Sequence, residues 1–229
     1  MACAVSVVVP VLNEAVTLPH LLSHLRTLQD EGAEVLLVDG GSHDATVQLA
    51  EQAGFRTVSA PKGRAQQMNV GAAHTGGELL LFLHADTRLP AGGLELVRKH
   101  LLNSQREAQV WGRFDVRIDG RVKLLPVVAW AMNLRSRVSG IATGDQAMFV
   151  TRSAFVSVGG FPDIPLMEDI ALSKRLKALA PPLCLRAKAT TSGRRWDERG
   201  AWRTVLLMWR LRWAYWRGVP AADLARAYR

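Results

Sequence analysis

Three apolar runs and one short mixed run, Phe55 to Ser59, occupy the first 90 residues, each ending in a polar cluster, and no other feature of the chain restricts its fold as much. Val5 to Val9 leads through Pro10 into Leu12-Asn13-Glu14, and Val35 to Val38 into Asp39-Gly40-Gly41-Ser42-His43-Asp44. Phe55 to Ser59 leads into Pro61-Lys62-Gly63-Arg64, and Leu79 to Leu83 into His84-Ala85-Asp86. A helical pattern separates each run from the next. Runs without a polar face must be covered on both sides, and strands joined by single helices pair in parallel through right-handed crossovers. The expected fold is therefore α/β, a mostly parallel sheet flanked by helices, with ligands at the carboxyl ends of the strands. All four polar clusters fall at those ends. Each is ambiguous alone: His84 and Asp86 would cap the turn towards Pro90 as readily as hold a metal or a sugar hydroxyl. Either Ser42 or Asp44 is expected to cap the helix that Gly54 closes.

Beyond residue 90 the alternation is less regular. Trp111 to Ile118 has a period of two and suits an antiparallel strand, Lys123 to Arg137 reads as a partly exposed helix, and Gly144 to Val150 as a strand after a polar turn. Glu168 and Asp169 open a helix through Leu172, Leu176 and Leu179 that ends before Pro181. The expected division is a domain over 1–180, in two halves that meet at about residue 90, and an extension over 181–229. The extension has 11 Lys and Arg against 3 Asp and Glu, whereas residues 1–180 have 18 against 17, so it carries +8 of the +9 net charge.

Such a tail favours an anionic surface: lipid headgroups, nucleic acid or a diphosphate. Trp202, Val205, Leu206, Trp209, Trp213 and Trp216 recur there at helical spacing among Arg203, Arg210, Arg212 and Arg217. An interfacial helix has this composition, with rings at the headgroup boundary and guanidinium groups on phosphates, but a helix packed on its own core or on a second subunit can show the same stripe. Nucleic acid is disfavoured because no recognition motif accompanies the stripe. No signal peptide is expected, and the longest apolar candidate, Leu124 to Met132, falls short of the roughly 18 to 20 residues of a membrane span. Cys3 and Cys184 lack metal-ligand spacing and suggest a reducing compartment. The protein is expected in the cytoplasm or peripheral on the inner face of the cell membrane.

No G-x-G-x-x-G follows the first strand and no G-x-x-x-x-G-K-[ST] occurs, which disfavours NAD enzymes and P-loop NTPases. A nucleotide could still sit at the strand edge, with a carboxylate on base or ribose and Arg64 near the phosphates.

The chain resembles the inverting family 2 glycosyltransferases of the GT-A fold. The resemblance runs through Val8 to Glu14, Val38 to Thr46, Gly63 to Gly71 including Asn69, Leu83 to Thr87, Gly144-Asp145-Gln146 and Met167-Glu168-Asp169, in the family's order over residues 4 to 180. It is nearest to the bacterial radical-SAM/selenodomain-associated subgroup. The resemblance implies a UDP- or GDP-sugar donor, with Pro10, Asn13 and Glu14 shaping the nucleotide pocket, Gly41, Ser42 and Asn69 in its motifs, Asp39 on the base and Arg64 by base or phosphates. Asp86 takes the last position of the metal-binding D-x-D, implying Mg²⁺ or Mn²⁺ on the diphosphate. His84 departs from the pattern at the first position and is a possible second ligand.

Asp169 matches the general base that takes the proton of the acceptor hydroxyl, with Glu168 beside it; both would also favour a helix N-terminus through its dipole. Asp145 and Gln146 would line the acceptor or sugar side. Arg194-Arg195-Trp196 is similar to the Q-x-x-R-W element of processive members without its Gln: the arginines would close over the leaving diphosphate and Trp196 would stack on the acceptor. The same three residues also suit a solvated basic loop. The expected activity is sugar transfer with inversion to an unknown, possibly lipid-linked, acceptor hydroxyl. A sugar-phosphate nucleotidyltransferase and a non-catalytic nucleotide-binding membrane adaptor are the rival readings, and a homodimer is one possible partner state.

Overall fold

The structure is a computed structural model describing residues 4–103 and 110–228, so Cys3 lies outside the described residues. Its first half follows from the four runs. Strands β1 (Val5–Val11), β2 (Glu34–Asp39), β3 (Arg56–Ser59) and β4 (Leu79–Phe82) pair in parallel in the order β3-β2-β1-β4. Helices α1 (Leu18–Asp30), α2 (Thr46–Gln52) and α3 (Arg64–Ala73) are the crossovers. Every residue of β1 and β4 is buried. Val5, Val7 and Val9 face Leu18, Leu21 and Leu25 of α1, while Val8, Leu36 and Val38 face Ala65 and Met68 of α3. Gly71 lets α3 lie directly on the sheet, because a Cβ there would stand 2.2 Å from Val8 Cγ1. Asp44, rather than Ser42, accepts the Thr46 N–H at the start of α2, at 3.0 Å.

Five further strands and helices build the second half: β5 (Thr87–Arg88), α4 (Gly93–Asn103), β6 (Trp111–Asp119), α5 (Leu125–Ser139) and β7 (Met148–Thr151). They are followed by α6 (Arg152–Ser157), α7 (Glu168–Leu179), β8 (Leu183–Ser192), α8 (Arg194–Arg199), α9 (Ala201–Trp216) and α10 (Ala221–Tyr228). The sheet continues β4-β7-β6-β8-β5, with β7 antiparallel to β4 and β6, and β6 parallel to β8. Met148 lies opposite Phe82, so the turn entering β7 stands past the same edge as His84. The strand expected from Gly144 begins only at Met148. Thr143 and Gln146 cap each other across Gly144–Gln146 and wind those residues into a 3-10 turn.

Strand β8 extends the main sheet beyond residue 180, where the sequence reading begins a separate extension. Its inward Leu185, Ala189 and Thr191 alternate with exposed Arg186 and Lys188, a period-two pattern legible in retrospect. Helix α5 is locked onto β6 by polar groups. Asn133 brackets the backbone of Val116 through both amide atoms, and the fully buried Arg113 donates to Asp115, which also takes two hydrogen bonds from Arg137 at 2.7 and 2.8 Å. Removing the negative member of a buried ion cluster strands its cations. Asp115→Asn is therefore expected to destabilise the fold by about 3 kcal/mol, which calorimetry would read as a fall in Tm of about 10 °C; an unchanged Tm would refute the clamp.

The tail helices turn the stripe inside out relative to core packing. Leu207, Leu211 and Tyr215 of α9 and Leu224 of α10 pack on Met167 and Ile170, while Trp202, Trp209, Trp213 and Trp216 are 61–74% exposed. The tryptophans thus do not pack on the domain's own core. No helix among the described residues is long and apolar enough to cross a membrane.

Candidate active site

The carboxyl ends of β1 and β2 are bound to each other. Asn13 sits at φ 54°, a left-handed conformation that Asn tolerates better than most residues. Its N–H donates to Ser42 Oγ at 2.9 Å and its Oδ1 accepts the His43 N–H at 2.9 Å. Glu14 N–H donates to Thr46 Oγ1 at 2.8 Å, and the Glu14 carboxylate accepts the Thr17 hydroxyl at 2.6 Å. Asp39 is buried at the end of β2 and accepts the Gly41 N–H, the Ser42 N–H and the Ser42 hydroxyl. These bonds and the left-handed Gly41 (φ 90°) fold the polar cluster into a rigid lip. Gln67 of α3 supports it from beneath, donating to the carbonyls of Val11 and Val38 at 2.9 and 2.8 Å. Pro10, Asn13, Glu14, Asp39, Gly41 and Ser42 are therefore brought together.

A second group gathers past β4. His84 is buried, with Nδ1 3.6 Å from Asp145 Oδ1. Gly144 is pressed against the imidazole so closely that a Cβ would lie 2.0 Å from His84 Cε1. The Gly144 N–H donates to Asp169 Oδ2 at 3.0 Å, joining the 3-10 turn to the start of α7. Met167, just before that start, is held at φ 69°, another left-handed residue at the junction. Burial, with the charge of Asp169 next, pushes the Glu168 carboxyl up, against the opposing charge of Arg64. Burial alone would raise Asp145 too, but the hydrogen bond and charge of His84, followed by Arg64 and Arg195, hold it below the usual carboxylate range. Arg64, exposed at the first turn of α3, thus faces both carboxylates across the edge.

Two arginines join this group: Arg135, to which the sequence reading gives no role, and Arg212, which it places with the stripe arginines of the tail. Burial and then the charge of Arg212 bring the Arg135 guanidinium down to about 10, while Asp169 and Asp145 act the other way. Arg212 is likewise lowered by burial and supported by Asp169 and Asp145. Burial and the Asp169 charge raise the Tyr215 phenol. Helices α5 and α9 therefore wall the Asp169 side of the site. Nothing local separates Arg135 from Arg137, or Arg212 from the other arginines of the stripe.

Other expected site residues are engaged in holding the frame. Both amide atoms of Asn69 bond the backbone of Phe161, Gln146 is buried against Thr143, and Trp196 packs against the cluster of Val116, Ile118, Leu125 and Ala129. Arg194 is exposed, and Arg195 lies 4.5 Å from the Tyr228 ring centre.

Asp86 is exposed at the same edge, its carbonyl accepting the Ser192 N–H and its carboxylate the Thr87 hydroxyl at 3.3 Å. No three His, Cys, Asp or Glu side chains among the described residues come together as a ready metal cage. A solvent-facing carboxylate fits a divalent ion whose remaining ligands are diphosphate oxygens and water, and does not fit one held by protein alone.

Comparison with known proteins follows the same outline. The model of the family described as Glycosyl transferase family 2 matches residues 6–156. An undecaprenyl-phosphate 4-deoxy-4-formamido-L-arabinose transferase of Aeromonas hydrophila is 37% identical over 97 residues, 38% of this chain and 30% of its own. A poly-beta-1,6-N-acetyl-D-glucosamine synthase of Staphylococcus aureus is 23% identical over 219 residues, 83% of this chain and 51% of its own. The chain thus spans about half or less of the length of these relatives. The mannosyltransferase of Pyrobaculum calidifontis, solved with GDP-Man and Mn²⁺, superposes with a TM-score of 0.62 at 20% identity, over 93% of this chain and 61% of that one.

Proposed function

This chain belongs to glycosyl transferase family 2, and from that premise we propose that it moves a sugar from a UDP- or GDP-sugar to an acceptor hydroxyl with inversion at the anomeric carbon. It is a glycosyltransferase with a GT-A fold, which leaves the nucleotidyltransferase and adaptor readings without support. The observation that carries the proposal is the convergence, at one sheet edge, of the β1–β2 lip with the His84, Asp145 and Asp169 group. In this reading, Pro10, Asn13, Glu14, Asp39, Gly41 and Ser42 form the nucleotide lip, and Arg64 stands by the phosphates. Asp169 takes the proton of the acceptor hydroxyl as its oxygen attacks the anomeric carbon, and a single displacement from the opposite side inverts the centre. The hydrogen bond from Gly144 holds one carboxylate oxygen in place. Arg194 and Arg195 would steady the departing diphosphate. Asp86, with His84 in reserve, would hold Mg²⁺ or Mn²⁺, which would neutralise charge on the leaving nucleotide. Within the family, the motif order is nearest to the radical-SAM/selenodomain-associated subgroup.

The exposed tryptophans of α9, interleaved with Arg203, Arg210 and Arg217, support contact with an anionic lipid surface rather than a second copy of the chain, because the ring-and-guanidinium pattern matches a headgroup boundary. The Aeromonas relative is an undecaprenyl-phosphate sugar transferase, which agrees with an acceptor at that surface. A panel of UDP- and GDP-sugars with Mn²⁺ tests the reading: slow nucleotide release is expected from at least one of them and should stop when EDTA removes the ion. Absence of release from every donor, with Mg²⁺ and with Mn²⁺, would sink it.

A further inference from the structure

We propose that Arg135 on α5 and Arg212 on α9 form a subsite for a phosphate monoester carried by the acceptor. The inference rests on the transferase reading and narrows its substrate class. Nε and Nη2 of Arg135 and Nε of Arg212 are buried without a hydrogen-bond partner. Arg113 and Arg98 each leave a buried Nε without a partner as well, but Arg113 spends its other nitrogens on Asp115 and the Asn133 carbonyl, Arg137 is spent on Asp115 and the Cys184 carbonyl, and only Arg135 leaves two nitrogens unpaired among the described residues. Asp169 and Asp145 balance the charge of the pair but leave these donors unpaired, and a buried guanidinium donor without a partner costs stability. Such an arrangement persists where an anion completes it.

Two features of the site select the anion. The pair lies on the Asp169 side, walled by α5 and α9, whereas the nucleotide lip is built from the ends of β1 and β2. A group held there stands beside the attacking oxygen. A phosphate monoester has close to two negative charges near neutral pH and three acceptor oxygens, enough for two guanidinium forks. The outer faces of the same helices expose large apolar side chains among arginines. On α5, Val127, Trp130, Leu134 and Val138 are 46–80% exposed, and α9 turns its tryptophans outward. The phosphate can therefore come from a lipid that also carries a free hydroxyl or from a soluble metabolite that does, and the test has an arm for each.

Calorimetry on the full chain would titrate decyl phosphate and inorganic phosphate, and separately UDP and GDP. The parent is expected to bind phosphate, and Arg135→Gln and Arg212→Gln should each weaken that binding about tenfold, with affinity for the nucleotide changed less than about twofold. Decyl phosphate binding more tightly than inorganic phosphate assigns a lipid source, and equal binding assigns a soluble one. Should the Gln variants fail to fold, Arg135→Lys and Arg212→Lys keep the charge while losing the fork, and should still weaken phosphate binding. The subsite is refuted if neither phosphate binds the parent, or if the variants lose nucleotide in proportion to phosphate, which would move the arginines to the donor diphosphate. Phosphate binding without binding of either nucleotide would instead refute the transferase reading and leave the subsite standing.

Discussion

Asp169→Asn is expected to lower the rate of sugar transfer about 10³-fold while leaving the dissociation constant of UDP or GDP within about threefold, since a positioned general base supplies roughly 10² to 10⁴ in rate. Asparagine keeps the size of the side chain, and its Oδ1 can still accept the Gly144 N–H that Asp169 accepts at 3.0 Å, at the cost of the bond that the other carboxylate oxygen takes from the Ile170 N–H. What it lacks is a site for the acceptor's proton. Single-turnover transfer and nucleotide calorimetry on the same preparation separate the two roles. Nucleotide binding lost together with transfer would mean that Asp169 only anchors the turn, and transfer retained would mean that the base lies elsewhere. Glu168 is the natural control. It is buried and its carboxyl is pushed up, so Glu168→Gln removes a charge that burial already disfavours and should cost far less than the Asp169 change.

Gly144→Ala should be nearly as damaging to transfer, by about 10²-fold, although the added group is one methyl. That methyl would stand 2.0 Å from Cε1 and 2.2 Å from Nε2 of His84. The imidazole is buried and must move, and with it shift the Asp145 contact and the N–H that holds Asp169. Overpacking of this kind costs about 1 to 3 kcal/mol, so Tm should fall by several degrees as well. Shortening the clashing ring in the double variant Gly144→Ala, His84→Ala should return most of the lost stability without returning full activity. Wild-type kinetics in the single alanine variant would show that the Gly144 to His84 contact does not position the site.

Residues 1–90 were legible because each strand is a short run with its own polar stop. In β1, β2 and β4 burial on both faces removes the alternation that could confuse strand with loop, and the strand ends gather their polar clusters at one edge whatever the helices do in detail. The roles within a cluster were less legible. Asn69, Gln146 and Trp196 belong to recognisable motifs, yet in the fold they brace Phe161, the 3-10 turn and the α5 cluster. A motif names residue types, and the packing around each one decides what it touches.

The local pattern of apolar and polar residues determined the parallel half of the sheet, the direction of its strands and hence the edge on which Asp39, Asp86 and the β1–β2 lip stand, because those depend on contacts between neighbours in sequence or one crossover apart. Tertiary structure alone decided the rest. The two-residue strand β5 exists only because β8 is there to pair with it, and the tryptophans of α9 point outward because Leu207, Leu211 and Tyr215 found Met167 and Ile170 first. Arg135 and Arg212 sit 77 positions apart in the chain and meet Asp169 only after α5 has been clamped to β6 and α9 laid on α7. A charged side chain reads the same in sequence whether it faces water or a buried carboxylate; its burial is a property of the packing around it.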